Sequence, residues 1–111
     1  MPYIAIDERK KLDILIDRLA DQIVSQAKKS DNQGAFAGLL NYTCTNLALK
    51  IIKKQFGKMR YWLIAITVGT FQTVAGEFYR RVGIPYENKQ IENKGDLKLY
   101  HDFSEQIKKT K

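Results

Sequence analysis

The run from Tyr61 to Gly76, 16 residues without a charged side chain, limits most what this chain can fold into. Tyr61-Trp62-Leu63-Ile64-Ala65-Ile66-Thr67-Val68-Gly69-Thr70-Phe71 is apolar on most sides of a helix, and such a helix must be covered by lipid or by protein. Lipid fails on length. A bilayer crossing needs about 20 mainly apolar residues, whereas this run is shorter and carries Thr67, Thr70, Gln72 and Thr73. No membrane partner is expected. The run predicts the third and longest helix of the domain, over about residues 58–82. Gly69 and Gly76 fall near one face of it with Thr73, and small residues there let two backbones approach closely. Either helices of the same chain pack on that face or another subunit does. The expectation is a homo-oligomer that associates through this helix.

Two helices precede it. Leu12, Leu15, Ile16, Leu19, Ile23 and Ala27 recur at spacings of three and four, which makes a one-sided helix running to about residue 29. Asp7 is placed to cap its first amides, and Asp7 with Glu8 puts negative charge at the positive end of the helix dipole. Ser30-Asp31-Asn32-Gln33-Gly34 reads as a loop. Leu40, Cys44, Leu47, Ala48, Ile51 and Ile52 repeat at helical spacing over about residues 35–55, with Lys50, Lys53 and Lys54 near the end. The first half of that helix is polar, with Asn41, Tyr42, Thr43, Thr45 and Asn46 crowded together. Such side chains compete with the backbone for hydrogen bonds, so they need partners, either across a helix interface or in a ligand. Gly57 marks the next turn.

The resulting fold class is all-α, a small bundle of three main helices plus a short C-terminal helix. A single helical domain is expected over residues 1–96, followed by a C-terminal extension over 97–111. Leu97, Leu99, Tyr100, Phe103 and Ile107 permit a helix in that extension, with a frayed end from Ser104 onward.

Charge is distributed unevenly. Residues 1–31 hold six basic and six acidic side chains, 32–76 five basic and none acidic, and 77–111 eight basic and six acidic. The formal net charge is +7. The excess suits anionic partners such as nucleotides, nucleic acid or phospholipid surfaces, and it also serves solubility. Cys44 is the one cysteine, which rules out an internal disulfide and fits a reducing compartment. The first residues lack a basic segment followed by a long apolar core, so no secretory signal is read. A cytoplasmic protein is expected, in the host cell if the chain is phage-encoded.

Catalytic sets fail on inspection. His101 is the one histidine and lies in a polar tail, Cys44 falls on an apolar stripe, and there is no phosphate loop, metal-ligand pair or nucleophile elbow. No enzyme, no metal and no cofactor is expected. What remains is Glu77-Phe78-Tyr79-Arg80-Arg81-Val82-Gly83-Ile84-Pro85-Tyr86-Glu87-Asn88-Lys89. It starts inside the third helix, sets two guanidiniums beside aromatics, and is expected to leave the helix at Gly83 and Pro85. Glu77 and Arg81 stand four apart with the acid first, the favoured order for an ion pair that would fix Arg81. A fixed guanidinium with a second one nearby can hold a phosphate while Tyr79 or Tyr86 stacks a base. A salt-bridged helix end rimmed by tyrosines would use the same residues.

The pieces Met1-Pro2-Tyr3-Ile4, Leu40-Asn41-Tyr42 followed by Thr45, Glu77-Phe78-Tyr79-Arg80-Arg81, Pro85-Tyr86-Glu87, Lys89, Ile91, Glu92-Asn93 and Gly95-Asp96 carry a resemblance. Together they look like a family of small uncharacterised proteins of bacteriophages and some bacteria. The likeness covers nearly the whole chain to Asp96. Lys94, between Asn93 and Gly95, departs from the pattern, as does the extension from Leu97. The resemblance implies a phage-type setting and no particular activity.

Two functions are therefore expected, of different kinds. The first is a non-enzymatic binding protein that captures an anionic small ligand, a nucleotide or cyclic-nucleotide immune signal, as an anti-defence sponge. Arg80, Arg81 and Lys89 would take phosphates, with Glu77 fixing a guanidinium. Tyr79, Tyr86 or Tyr42 would stack the base, and Asn41 and Asn46 would read polar edges. The alternative is an interaction protein that docks on a host protein or nucleic acid through Lys50, Lys53, Lys54, Lys58 and Arg60.

Overall fold

The computed structural model describes residues 3–111, and the described residues are helical with no strand. Met1 and Pro2, which begin the resemblance, lie outside the described residues. The chain divides into two compact units, residues 1–70 and 71–111.

In the first unit, helix α1 (Ile6–Ala27) and helix α2 (Ala35–Phe56) pack on each other. Asp7 does not cap α1. The cap position is Ala5, in an extended conformation with no side-chain bond, and Asp7 and Glu8 stand in the first turn where only their charge helps the dipole. The entry is held instead by Arg9, whose Nε donates to the Ile4 carbonyl at 2.7 Å. Between the helices the Asn32 side chain accepts from the Gly34 amide at 2.8 Å, an Asx turn that starts α2.

Helix α2 ends on Gly57, whose φ of 81° puts it in the left-handed region that glycine enters without a Cβ penalty. Its amide bonds the Lys53 carbonyl, and Lys53 Nζ returns to the Gly57 carbonyl at 2.9 Å. Beyond it, Phe56 and Trp62 meet edge to face at 5.3 Å. Ile52 and Leu63 are the buried apolar side chains of this corner. Helix α3 (Tyr61–Phe78) starts here.

The second unit corrects the expected helix end. After Phe78 the chain makes a π turn, Tyr79–Gly83, and then runs directly into helix α4 (Ile84–Lys94). Gly83 (φ −66°) and Ile84 (φ −62°) are both helical, so glycine and proline do not cut the helix. The cause is local. In an α-helix Pro85 would lack the amide meant for the Arg81 carbonyl and would press its ring against it. A π turn relieves this by inserting one residue, and the Ile84 amide duly bonds the Tyr79 carbonyl five residues back.

Gly95, with φ 89°, ends α4. Helix α5 (Lys98–Lys109) follows, so the tail expected to fray from Ser104 is helical almost to its end. Its Lys98–Asp102 and Lys108–Glu105 pairs, both at 3.2 Å, are surface ion pairs of little energetic weight. No helix of the described residues is long and apolar enough to cross a membrane.

Two substitutions test this frame by chemical denaturation. Leu63→Ala removes a side chain only 4% exposed and should cost about 2–4 kcal/mol. Gly57→Ala should cost about 1–2 kcal/mol, because its φ is left-handed rather than because of crowding.

Candidate functional site

The π turn decides how Tyr79, Arg80 and Arg81 are presented. In an unbroken α-helix a residue eight positions on stands about 80° further round the axis. One inserted residue turns it back by about 100°, which brings Glu87 onto the Tyr79 side. The Tyr79 hydroxyl accordingly donates to Glu87 Oε2 at 2.5 Å. Gly83 lies under the span. A Cβ there would stand 2.5 Å from Tyr79 Cδ2 and 2.8 Å from Cε2, so the ring can lie across the turn only above a glycine. The hydrogen bond to Glu87, then partial desolvation, then the carboxylate's charge raise the Tyr79 pKa above its ordinary value.

The carboxylate of Glu77 pairs with Arg80, three residues on, and not with Arg81. Arg80 Nη2 stands 2.6 Å from Glu77 Oε1 and its Nε 3.4 Å from Oε2, a two-point grip. This corrects the expected Glu77–Arg81 pair. The Arg80 side chain stays 60% exposed while Glu77 is 23% exposed, so the guanidinium is oriented without being enclosed. Arg81 forms no ion pair with any described carboxylate. Lys89 is 3.4 Å from Glu92, both well exposed, a contact that leaves the ammonium available. Tyr86 is 66% exposed.

The other expected site residues belong to the first unit. On α2 the Asn41, Tyr42, Thr45 and Asn46 side chains are spent on one another. Thr45 Oγ1 donates to Asn41 Oδ1 at 3.5 Å and Asn46 Nδ2 to the Tyr42 hydroxyl at 3.4 Å, both long. Thr43 donates to the Leu39 carbonyl at 2.7 Å, the back-bond available to a helical threonine. Ala37, Gly38, Asn41, Tyr42 and Thr45 line a shallow, open depression. A Cβ at Gly38 would meet nothing within 4 Å. The expected set is thus divided between two clusters, one in each unit: Asn41, Tyr42 and Asn46 in the first, and Glu77, Tyr79, Arg80, Arg81, Tyr86 and Lys89 in the second.

Gly83 is expected from the sequence only as a helix end, and Glu87 only as part of the family resemblance. Their spacing from Tyr79, four and eight, is a signal only in π register. Chemically, the second cluster offers cations, one oriented and one without a carboxylate partner, together with an exposed phenol. Among the described residues no group of three potential ligands could hold a metal ion.

The model of a family described as a domain of unknown function, DUF6899, matches residues 1–97. That agrees with the resemblance at the level of a family without an assigned activity, and α5 lies beyond the matched segment. No curated protein and no solved structure matches the chain.

The strut across the turn is tested by a double-mutant cycle. Gly83→Ala should lower the denaturation midpoint through its clash with Tyr79, and Tyr79→Ala should remove most of that penalty. The Tyr79–Glu87 bond also has a pH signature. Because the folded pKa is raised, its contribution is complete below the unfolded tyrosine value of about 10 and fades as pH rises through the folded value. Tyr79→Phe should therefore differ from the parent in stability at neutral pH, with the difference vanishing in strong alkali.

Proposed function

We propose that this chain, which belongs to the DUF6899 family, is a non-enzymatic binding protein that captures an anionic small ligand at the π turn. The ligand class is a nucleotide or cyclic nucleotide. The single observation that carries this is Arg81, a guanidinium without a carboxylate partner among the described residues, next to Arg80, which Glu77 holds by two contacts. π turns recur at functional sites because the unusual register has a cost that plain structure does not need. Arg81 supplies the leading phosphate contact, Arg80 an oriented second one, and Lys89 a further charge. Tyr86 stacks the base, since the Tyr79 ring lies over Gly83 and its hydroxyl is given to Glu87.

In the phage-type setting implied by the resemblance, such a protein would lower the level of a host immune signal by holding it unchanged. The protein acts as a homo-oligomer. Support for that comes from α3, where Ile64, Ile66, Val68 and Phe71 are 41–59% exposed and a Cβ at Gly69 or Gly76 would meet nothing within 4 Å. Helical glycine at such positions costs about 1 kcal/mol relative to alanine, and a close-packed second backbone would give that cost a use.

Calorimetry with a panel of mono-, di- and cyclic nucleotides tests the ligand class. One of them should bind, be recovered intact after denaturation, and lose about tenfold or more in affinity in Arg81→Ala, as a charge-assisted contact of about 1.5–3 kcal/mol would give. If no nucleotide binds, or if Arg81→Ala binds as the parent does, the reading is wrong. Light scattering at micromolar concentration should report a mass above 12.8 kDa, and a monomer would contradict the homo-oligomer.

A further inference from the structure

The corner where α2 turns into α3 concentrates charge of one sign. Between Asn32 and Gly76 the chain carries no acidic residue, and its five basic ones, Lys50, Lys53, Lys54, Lys58 and Arg60, fall within 11 positions. None of the five takes part in an ion pair among the described residues. Lys53 donates to the Gly57 carbonyl, a neutral partner that holds the ammonium at the turn and leaves its charge uncancelled. At about 100° per residue, Lys50, Lys53 and Lys54 share an arc of about 100° on α2, and Ile52 stands about 150° from its middle. Ile52 is buried, so the lysine face turns away from the packed side of the helix. Lys58 and Arg60 continue the charge through the segment between the two helices.

Aromatic rings stand at the same corner. Tyr61 follows Arg60 directly and is 84% exposed, more than any other Phe, Tyr or Trp among the described residues. Trp62 and Phe56 hold each other edge to face. Cations without acidic partners beside an open ring suit a single nucleic-acid strand, in which the cations track phosphates and the ring stacks a base that a duplex would hide. A duplex is disfavoured by α3 itself. Recognition helices read base edges with side chains near their start, and α3 has no arginine, lysine, asparagine or glutamine before Gln72. A lipid surface is disfavoured by α2. An interfacial helix lays an apolar face in lipid opposite its charged one, and the side of α2 opposite the lysines is closed at Ile52.

We infer that the α2–α3 corner is a second binding site, one that takes a single nucleic-acid strand without regard to base sequence. Lys50, Lys54, Lys58 and Arg60 contact phosphates, and Tyr61 is the platform for a base. The site lies within the first unit and uses none of the residues of the π turn.

Fluorescence anisotropy of the full chain with a labelled oligothymidylate of about 20 nucleotides tests it across a salt series, since sites of this kind span about 4–16. The parent should bind, with log affinity falling against log salt by about 0.7 per phosphate contacted. Lys50→Gln with Lys54→Gln should reduce that slope by about 1.4. Tyr61→Ala should weaken binding about tenfold with the slope unchanged, whereas Tyr61→Phe, whose ring still stacks, should bind as the parent does. Arg81→Ala should also bind as the parent does. Each variant is compared at parental helical circular dichroism. Absence of binding at low salt, a slope indifferent to the lysine changes, or an equal loss in Tyr61→Ala and Tyr61→Phe would overturn the inference. So would a strand affinity lost in Arg81→Ala, tighter binding to a duplex of the same length, or displacement of the strand by an equal charge of polyglutamate or of phosphatidylserine vesicles.

Discussion

Pro85 lacks an amide hydrogen, and the second unit takes its form from how the helix accommodates that. A proline inside a helix usually marks a kink or an end. Here the chain opens by one residue and bonds the Ile84 amide to the Tyr79 carbonyl, so helical structure passes unbroken from α3 into α4. The register change has chemical consequences. It aligns Tyr79 with Glu87 and requires glycine at position 83. Beside the turn Glu77 takes Arg80, three residues on, and Arg81 is left for the proposed phosphate contact.

Coverage is the other governing constraint. Among the described residues the buried apolar side chains are Ile52 and Leu63, both in the first unit. Apolar burial is the main favourable term in folding, at about 25 cal/mol per Å², so so little of it cannot by itself offset chain entropy. The proposed self-association would cover apolar faces such as that of α3, which stand exposed among the described residues. The ion pairs Glu77–Arg80, Lys89–Glu92, Lys98–Asp102 and Glu105–Lys108 lie in the second unit, at surface positions worth little.

Much of the helical layout was legible in the sequence. The three- and four-residue spacing of Leu12, Leu15, Ile16 and Leu19 and the signals at Gly34 and Gly57 locate α1 and the α2 boundaries to within a few residues. The errors share a cause. Residue type points to Asp7 as the cap, whereas Ala5 begins the helix by backbone conformation alone. Gly83 and Pro85 signal a stop only while the register is fixed, and a π turn is a change of register. Arg80 and Arg81 are legible as a pair, but residue spacing alone does not decide whether Glu77 takes the arginine three or four positions on. The polar run on α2, for which partners across a helix interface or in a ligand are expected, bonds instead within its own helix through Thr43, Thr45 and Asn46.

The most direct test of the central claim is nuclear magnetic resonance measurement of scalar couplings across hydrogen bonds through residues 78–88. The account predicts a coupling from the Ile84 amide to the Tyr79 carbonyl, with protected amides on both sides of Pro85. A coupling from Ile84 to the Arg80 carbonyl, or fast-exchanging amides that mark a helix end at Gly83, would contradict it.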